Sequence, residues 1–256
     1  MKLIMGVVNV TPDSFSDGGE YFDPRLAIAR GYEMIQDGCD IIDVGGESTR
    51  PGAVEIDEEE EARRVLPVIT ELSKVARVSV DTAKESVARR AIAAGASIVN
   101  DISASLAEVA AKEGAAWLAM HMQGNPRNMQ NSPSYVDVVG EVCSFLEARA
   151  RWARELGIEE VWLDPGIGFG KTMEHNLELL ANIDRVVDLG YPVLVGTSRK
   201  GFLGRIVARF EGEMPSPKDR LEGSLATAAW CYAKGVTAMR VHDVAAVAQL
   251  LSLGGY

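Results

Sequence analysis

One device, repeated along the chain, constrains this sequence more than any other feature. A short apolar run stops at a polar residue, a Gly- and Pro-bearing loop follows, and then a helical pattern. The first copy is LIMGVV at 3–8, ending at Asn9 ahead of the loop TPDSFSDGG. A short, nearly all-apolar, β-branched run suits a strand buried on both faces, as in a parallel sheet. Later runs lead to Asp43, Asp81, Asn100, His121, Asp164, Ser198 with Lys200, and Arg240 with His242. Helical patterns lie between them at 24–36, 57–74, 84–94, 106–113, 135–156, 176–189, 201–210 and 225–234, and a last helix closes the chain. Eight strand–helix alternations with no linker or composition break predict an α/β chain, a single (β/α)8 TIM barrel occupying 1–256 as one domain. The length of 256 residues agrees, since such barrels run to roughly 250. No G-x-G-x-x-G follows the first run to favour an open doubly wound sheet. In a closed barrel, polar residues at the carboxyl ends of strands gather at the C-terminal mouth, where the active site is built.

The net charge of −11 and the lack of a Lys/Arg-rich block argue against nucleic acid as a partner. No apolar stretch reaches the roughly 18 uncharged residues of a membrane span, and no signal pattern opens the chain, so the expected location is cytoplasmic, with no membrane partner. Cys39, Cys143 and Cys231 lack metal-ligand or paired spacing and are expected as buried free thiols. The acidic run 57–61 reads as the solvated first turn of a helix, where carboxylates favour the helix dipole.

Four cations converge on the mouth by this reading: Arg50 on the loop after the second strand, Lys200 after the seventh, and Arg240 and His242 after the eighth. Together they suit an anionic substrate, because the strand 7–8 end is a frequent phosphate site. The alternative for Arg240 and Arg50 is structural pairing with carboxylates such as Asp243 and Glu47. Asp81, Asn100 and Asp164 could accept hydrogen bonds from a flat heterocycle inside the mouth, or, taken singly, could cap turns. Phe15 and Phe169 sit on Gly-rich loops, as loop anchors or as walls of a substrate pocket.

These strings together resemble the dihydropteroate synthases, the folate-pathway enzymes targeted by sulfonamides. The likeness runs through MGVVNVTPDSFSDGG at 5–19, GCDIIDVGGESTRPGA at 38–53, SVDT at 79–82, VNDIS at 99–103, MHMQGNP at 120–126, LDPGIGFGKT at 163–172, GTSRKGFLG at 196–204 and RVHDV at 240–244. The resemblance implies a (β/α)8 transferase that joins 6-hydroxymethyl-7,8-dihydropterin pyrophosphate to p-aminobenzoate and releases pyrophosphate. It implies a pterin site of Asp81, Asn100, Asp164 and Lys200, and a pyrophosphate site of Asn9, Arg50, Arg240 and His242, with Asn9 also holding Mg²⁺. Phe15, Thr49, Arg50, Pro51, Phe169 and Ser198 resemble the p-aminobenzoate pocket, and a homodimer is usual in the family. Asp81, Asp164, Lys200, Arg240 and His242 are the implied catalytic set, acting by an SN1-like route. Two departures stand out: Gly201 occupies a position that is often bulkier or polar, and only Met1 and Lys2 precede the first strand. The rival readings are a methyltetrahydrofolate-dependent methyltransferase on the same barrel and a pterin-binding paralogue without turnover.

Overall fold

The computed structural model describes residues 2–11, 23–48 and 55–254, so Phe15, Thr49, Arg50 and Pro51 lie outside the described residues. Eight strands form one parallel sheet: β1 (Leu3–Asn9), β2 (Ile41–Gly45), β3 (Arg77–Asp81), β4 (Ile98–Asp101), β5 (Ala116–Met120), β6 (Val161–Asp164), β7 (Leu194–Val195) and β8 (Ala238–Val241). Their order is β6-β5-β4-β3-β2-β1-β8-β7. The two ends of that order meet through a parallel bridge between Leu163 and Val193, supported by a 2.9 Å bond from the Leu163 N–H to the Pro192 carbonyl. The expected barrel is therefore the observed fold.

The helices are α1 (Pro24–Gln36), α2 (Glu58–Leu72), α3 (Glu85–Ala93), α4 (Ala107–Glu113), α5 (Val138–Glu155), α6 (Met173–Ala181), α7 (Ile183–Val187), α8 (Gly201–Glu211), α9 (Leu221–Ala233) and α10 (Val244–Ser252). The single helix expected at 176–189 is two. Thr172 starts α6 early by a reciprocal capping box with His175, and the chain turns at Asn182 before α7. The helix expected from 135 starts at Val138, because the Asp137 side chain caps the Gly140 N–H.

Strand periodicity divides the barrel interior into two storeys. Met5, Ile41, Ile98, Ala116, Leu118, Trp162, Leu194 and Ala238 pack together as an apolar floor. Further along these strands, at the same alternating positions, stand Asn9, Asp43, Asn100, Asp164 and Arg240, joined by Asp81 at the end of β3. The period of two that drives Met5 and Ile41 inward thus also delivers Asn9 and Asp43 to the mouth. A separate, larger apolar layer joins the outer strand faces to the helices.

Two expectations need correction. The acidic start of α2 is solvated only in part: Glu58 and Glu59 are exposed, but Glu61 is 1 % exposed and pairs with Lys84 at 2.5 Å. One turn beyond the N-cap the helix face rotates inward, and Lys84 supplies the charge that such burial requires. Cys231 is buried, whereas Cys39 and Cys143 are half-buried; all three are free. No helix among the described residues is long and apolar enough to cross a membrane.

Candidate active site

Asp43 stands at the centre of the polar storey. Its carboxylate is fully buried; Oδ2 accepts from Arg240 Nε at 2.6 Å and from Asn100 Nδ2 at 3.0 Å. Arg240 Nη2 donates in turn to Asp81 Oδ2 at 2.7 Å. One acid therefore links β2, β4 and β8, and one guanidinium joins Asp43 to Asp81. This arrangement corrects the alternative of an Arg240–Asp243 pair, because Arg240 lies within β8 and faces the interior. Asp243 pairs instead with Arg199. Glu47 pairs with Lys84, and the Arg50 alternative lies outside the described residues.

Electrostatics follow from this crowding. Burial raises the Asp81 pKa against the pull of Arg240, and the negative Asp43, Glu61 and Asp164 add to the rise. Burial raises Asp164 as well, opposed by Lys200 and by the Gly166 N–H, which donates to Asp164 Oδ1 at 2.7 Å. Lys200 is pushed down to about 8 by burial, with Asp164 resisting and Arg240 repelling. Burial disfavours the Arg240 charge, but Asp43 and Asp81 more than offset this and hold its pKa above the ordinary arginine value. The geometry agrees: Arg240 bonds Asp81, and the Lys200 ammonium and the Arg240 stem both lie within 4 Å of the Cβ position at Gly196.

The far bank of the mouth is the turn between β7 and α8. Arg199 holds φ at 60°, a conformation that non-glycine residues rarely adopt. Its N–H donates to Ser224 Oγ at 3.0 Å, and its Nε donates to Asp243 Oδ2 at 3.0 Å. The strained residue is pinned from both sides, which aims its neighbours Ser198 and Lys200 at the mouth. Ser198 Oγ lies 3.1 Å from His242 Nδ1, so the ends of β7 and β8 are joined. The Lys200 Nζ donates to the Ile167 carbonyl and lies 4.5 Å from the centre of the Phe169 ring. Lys200 is also the N-cap of α8, whose first N–H groups form an anion-binding terminus. At Gly201 a Cβ would meet nothing nearer than the Met214 methyl at 3.9 Å, so this departure leaves the helix start unaltered.

A cavity of about 570 Å³ opens beside Asp81, lined among others by Thr82, Ile102, Met120 and Met122. Such a volume suits a small bicyclic ligand. A wider cleft lies on the flank around His121, Tyr135 and Glu141, but there Asp137 and Glu141 are committed to backbone N–H groups at the start of α5. Of the two, the cavity beside Asp81 is the one that reaches a candidate site residue. Asn9, at the end of β1, pairs in register with Gly45, which faces Asp81 on β3. Its carboxamide oxygen is the hard donor that Mg²⁺ accepts. One such donor fits an ion that keeps several waters and is held jointly with substrate phosphates.

The described sequence candidates thus converge: Asn9, Asp81, Asn100, Asp164, Phe169, Ser198, Lys200, Arg240 and His242 all lie at the C-terminal mouth. Sequence reasoning placed Asp43 at the mouth as a polar strand end but gave it no specific role, and it gave none to Lys171. Lys171 offered no signal beyond its place in a Gly-rich loop.

A family model described as pterin binding enzyme matches residues 5–242. The chain belongs to the pterin-binding enzyme family. Among its relatives, a dihydropteroate synthase of Synechocystis is 45 % identical, over 96 % of this chain and 87 % of that protein. The dihydropteroate synthase of Escherichia coli strain K12 is also 45 % identical, over 94 % and 86 %. A solved Xanthomonas albilineans dihydropteroate synthase with 4-aminobenzoic acid superposes with a TM-score of 0.90 at 42 % identity, covering 98 % of this chain and 91 % of that one. Another structure from that organism, in complex with 7,8-dihydropteroate, gives a TM-score of 0.87 at 39 % identity, with 98 % and 92 % covered.

Proposed function

We propose that this chain is a dihydropteroate synthase, a folate-biosynthetic transferase that condenses 6-hydroxymethyl-7,8-dihydropterin pyrophosphate with p-aminobenzoate to give 7,8-dihydropteroate and pyrophosphate. One observation carries the reading: at the mouth Arg240 bridges the carboxylates of Asp43 and Asp81, while Lys200 reaches the Ile167 carbonyl of the loop whose Gly166 N–H holds Asp164.

The reaction makes opposite electrostatic demands at two adjoining places. When the bond from the pterin methylene to the diphosphate oxygen breaks, the carbon becomes positive and the diphosphate keeps the electron pair. Fixed carboxylates at Asp81 and Asp164 stabilise the first charge, and cations stabilise the second. Asn100 has its Nδ2 committed to Asp43, leaving Oδ1 to accept from a pterin N–H. Arg240 keeps Nη1 for the diphosphate while Nε and Nη2 hold Asp43 and Asp81. His242 and Arg50 complete that group. Asn9 would help to hold Mg²⁺, which when bound would supply charge neutralisation on the leaving group. Ser198, the exposed N–H groups of α8 and the Phe169 ring receive p-aminobenzoate, with Phe15, Thr49 and Pro51 enclosing it. The neutral arylamine attacks the electron-poor methylene and then sheds a proton to water, so no strong base is required.

The working enzyme is taken to be a cytoplasmic homodimer. Incubating the purified protein with both substrates and Mg²⁺ tests the activity: dihydropteroate and pyrophosphate should appear in equal amounts. Pterin binding without product would assign the chain to the non-catalytic paralogues, and methyl transfer from methyltetrahydrofolate would assign it to the methyltransferases.

A further inference from the structure

Lys171 is a long cation only 1 % exposed, and its partners are unusual. Nζ lies 2.9 Å from His121 Nδ1 and donates to the carbonyls of Gly166 and Phe169 at 3.0 Å each, with the His121 carbonyl at 3.4 Å. None of these is a carboxylate. Burial pushes the Lys171 amine down to about 7, with Asp164 resisting and Lys200 adding to the fall. When Lys171 is protonated it can only donate, so His121 then accepts at Nδ1 and carries its proton on Nε2. Burial and the Lys171 charge keep that ring neutral, with its pKa down to about 3.

The loop around this ammonium cannot hold its shape by secondary structure. Gly166, Gly168 and Gly170 all take positive φ, at 66°, 88° and 60°. A Cβ on Gly166 would strike the His121 carbonyl, and one on Gly170 the Gln123 backbone. The chain is therefore wound tightly against the exit of β5, with carbonyls turned inward where water does not reach. Buried carbonyls need donors, and Lys171 supplies them from one atom. The opposite side of the same loop faces the mouth. There the Gly166 N–H fixes Asp164, the Ile167 carbonyl receives Lys200, and the Phe169 ring underlies the Lys200 ammonium.

We propose that Lys171 is a positioning residue for the synthase reaction: its buried ammonium gathers the carbonyls of the β6–α6 loop onto His121 and so sets Phe169 and Lys200 against the substrates. This rests on the dihydropteroate synthase reading only for its kinetic consequence. Lys171→Met keeps the aliphatic stem and removes the donors, whereas Lys171→Gln restores two N–H donors without charge. In Lys171→Met the KM for p-aminobenzoate should rise tenfold or more, with kcat changed less than threefold. Lys171→Gln should recover most of that KM. Hydrogen exchange should quicken tenfold or more for amides 166–170 in Lys171→Met, while amides of β1 and β3 stay as slow as in the unmodified protein. A p-aminobenzoate KM within threefold of the unmodified enzyme, or exchange that quickens evenly through the barrel, overturns the proposal. If Lys171→Met does not fold, Lys171→Leu, which likewise removes the donors, carries the same two readouts, and unchanged exchange at 166–170 in it overturns the proposal. Should the unmodified protein make no dihydropteroate, the functional reading fails while the exchange experiment still decides the role of Lys171.

Discussion

Replacing Asp43 by Asn probes the polar storey at its hub. The substitution keeps the shape of a fully buried side chain and removes its charge. Both donors meet Oδ2, so an amide oxygen turned to that side still accepts from Asn100 at 3.0 Å. The 2.6 Å bond from Arg240 loses its anionic acceptor, while the 2.7 Å bond to Asp81 is retained. A bond of that class contributes about 1.5–3 kcal/mol. If the whole amount is felt in the transition state, kcat/KM for the pterin diphosphate should fall by about 10- to 100-fold, at about 1.4 kcal/mol per decade. The KM for p-aminobenzoate should move little, because Asp43 touches neither Ser198 nor Phe169. A pH signature should accompany the loss. Asp43 is one of the charges that raise Asp81, so removing it lets Asp81 ionise at lower pH, and the acid limb of kcat/KM should shift downward. Steady-state rates with labelled p-aminobenzoate across pH 4–9 give both quantities. A fall of less than threefold, or an acid limb that moves upward, would refute the hub argument.

Other substitutions test separate parts. Asp164→Asn should lower kcat/KM by roughly 100-fold or more, as it removes an anion beside the developing cation while leaving an oxygen for the Gly166 N–H; a product assay that shows less than tenfold loss contradicts this. Lys200 acts as a cation with its pKa near 8, so its contribution is complete below that pH and disappears as pH rises through it. The alkaline limb of kcat/KM should accordingly lie near 8 and move well above it in Lys200→Arg. Glu61→Gln should lower the unfolding free energy in urea by about 1.5–3 kcal/mol, since it removes a buried charged partner of Lys84. Ser198→Ala should raise the p-aminobenzoate KM several-fold with a smaller effect on the pterin KM, because Ser198 also steadies the His242 ring through the 3.1 Å contact.

Which strands exist, and which polar residues end them, was legible in the sequence because one short-range rule governs both. Period two sends Met5 to the floor and Asn9 to the mouth, and the same count runs along β3 to Asp81 and along β8 to Arg240. The partner of Arg240 was not legible. Asp243 is near in sequence, but β8 turns its guanidinium inward, where Asp43 and Asp81 arrive from strands far away in the chain. Glu61 was misjudged for a related reason, since an acidic run looks solvated until a helix rotates one member toward Lys84. The early start of the helix expected at 176–189 depended on a capping box that reaches back to Thr172, and its division on a turn at Asn182. Lys171 could not be read at all: a lysine in a glycine loop gives no sign, from sequence alone, that backbone oxygens will surround it.

The closure between β6 and β7 rests on one bridge, Leu163 with Val193, and β7 itself is two residues long. Asp164 and Lys200 flank that weak suture from opposite sides. A ring held by both would act as a rivet across the part of the wall least able to hold itself shut. Occupancy of the active centre and resistance of the whole shell to heat or urea are therefore linked quantities: the tighter the pterin is grasped, the harder the barrel is to open.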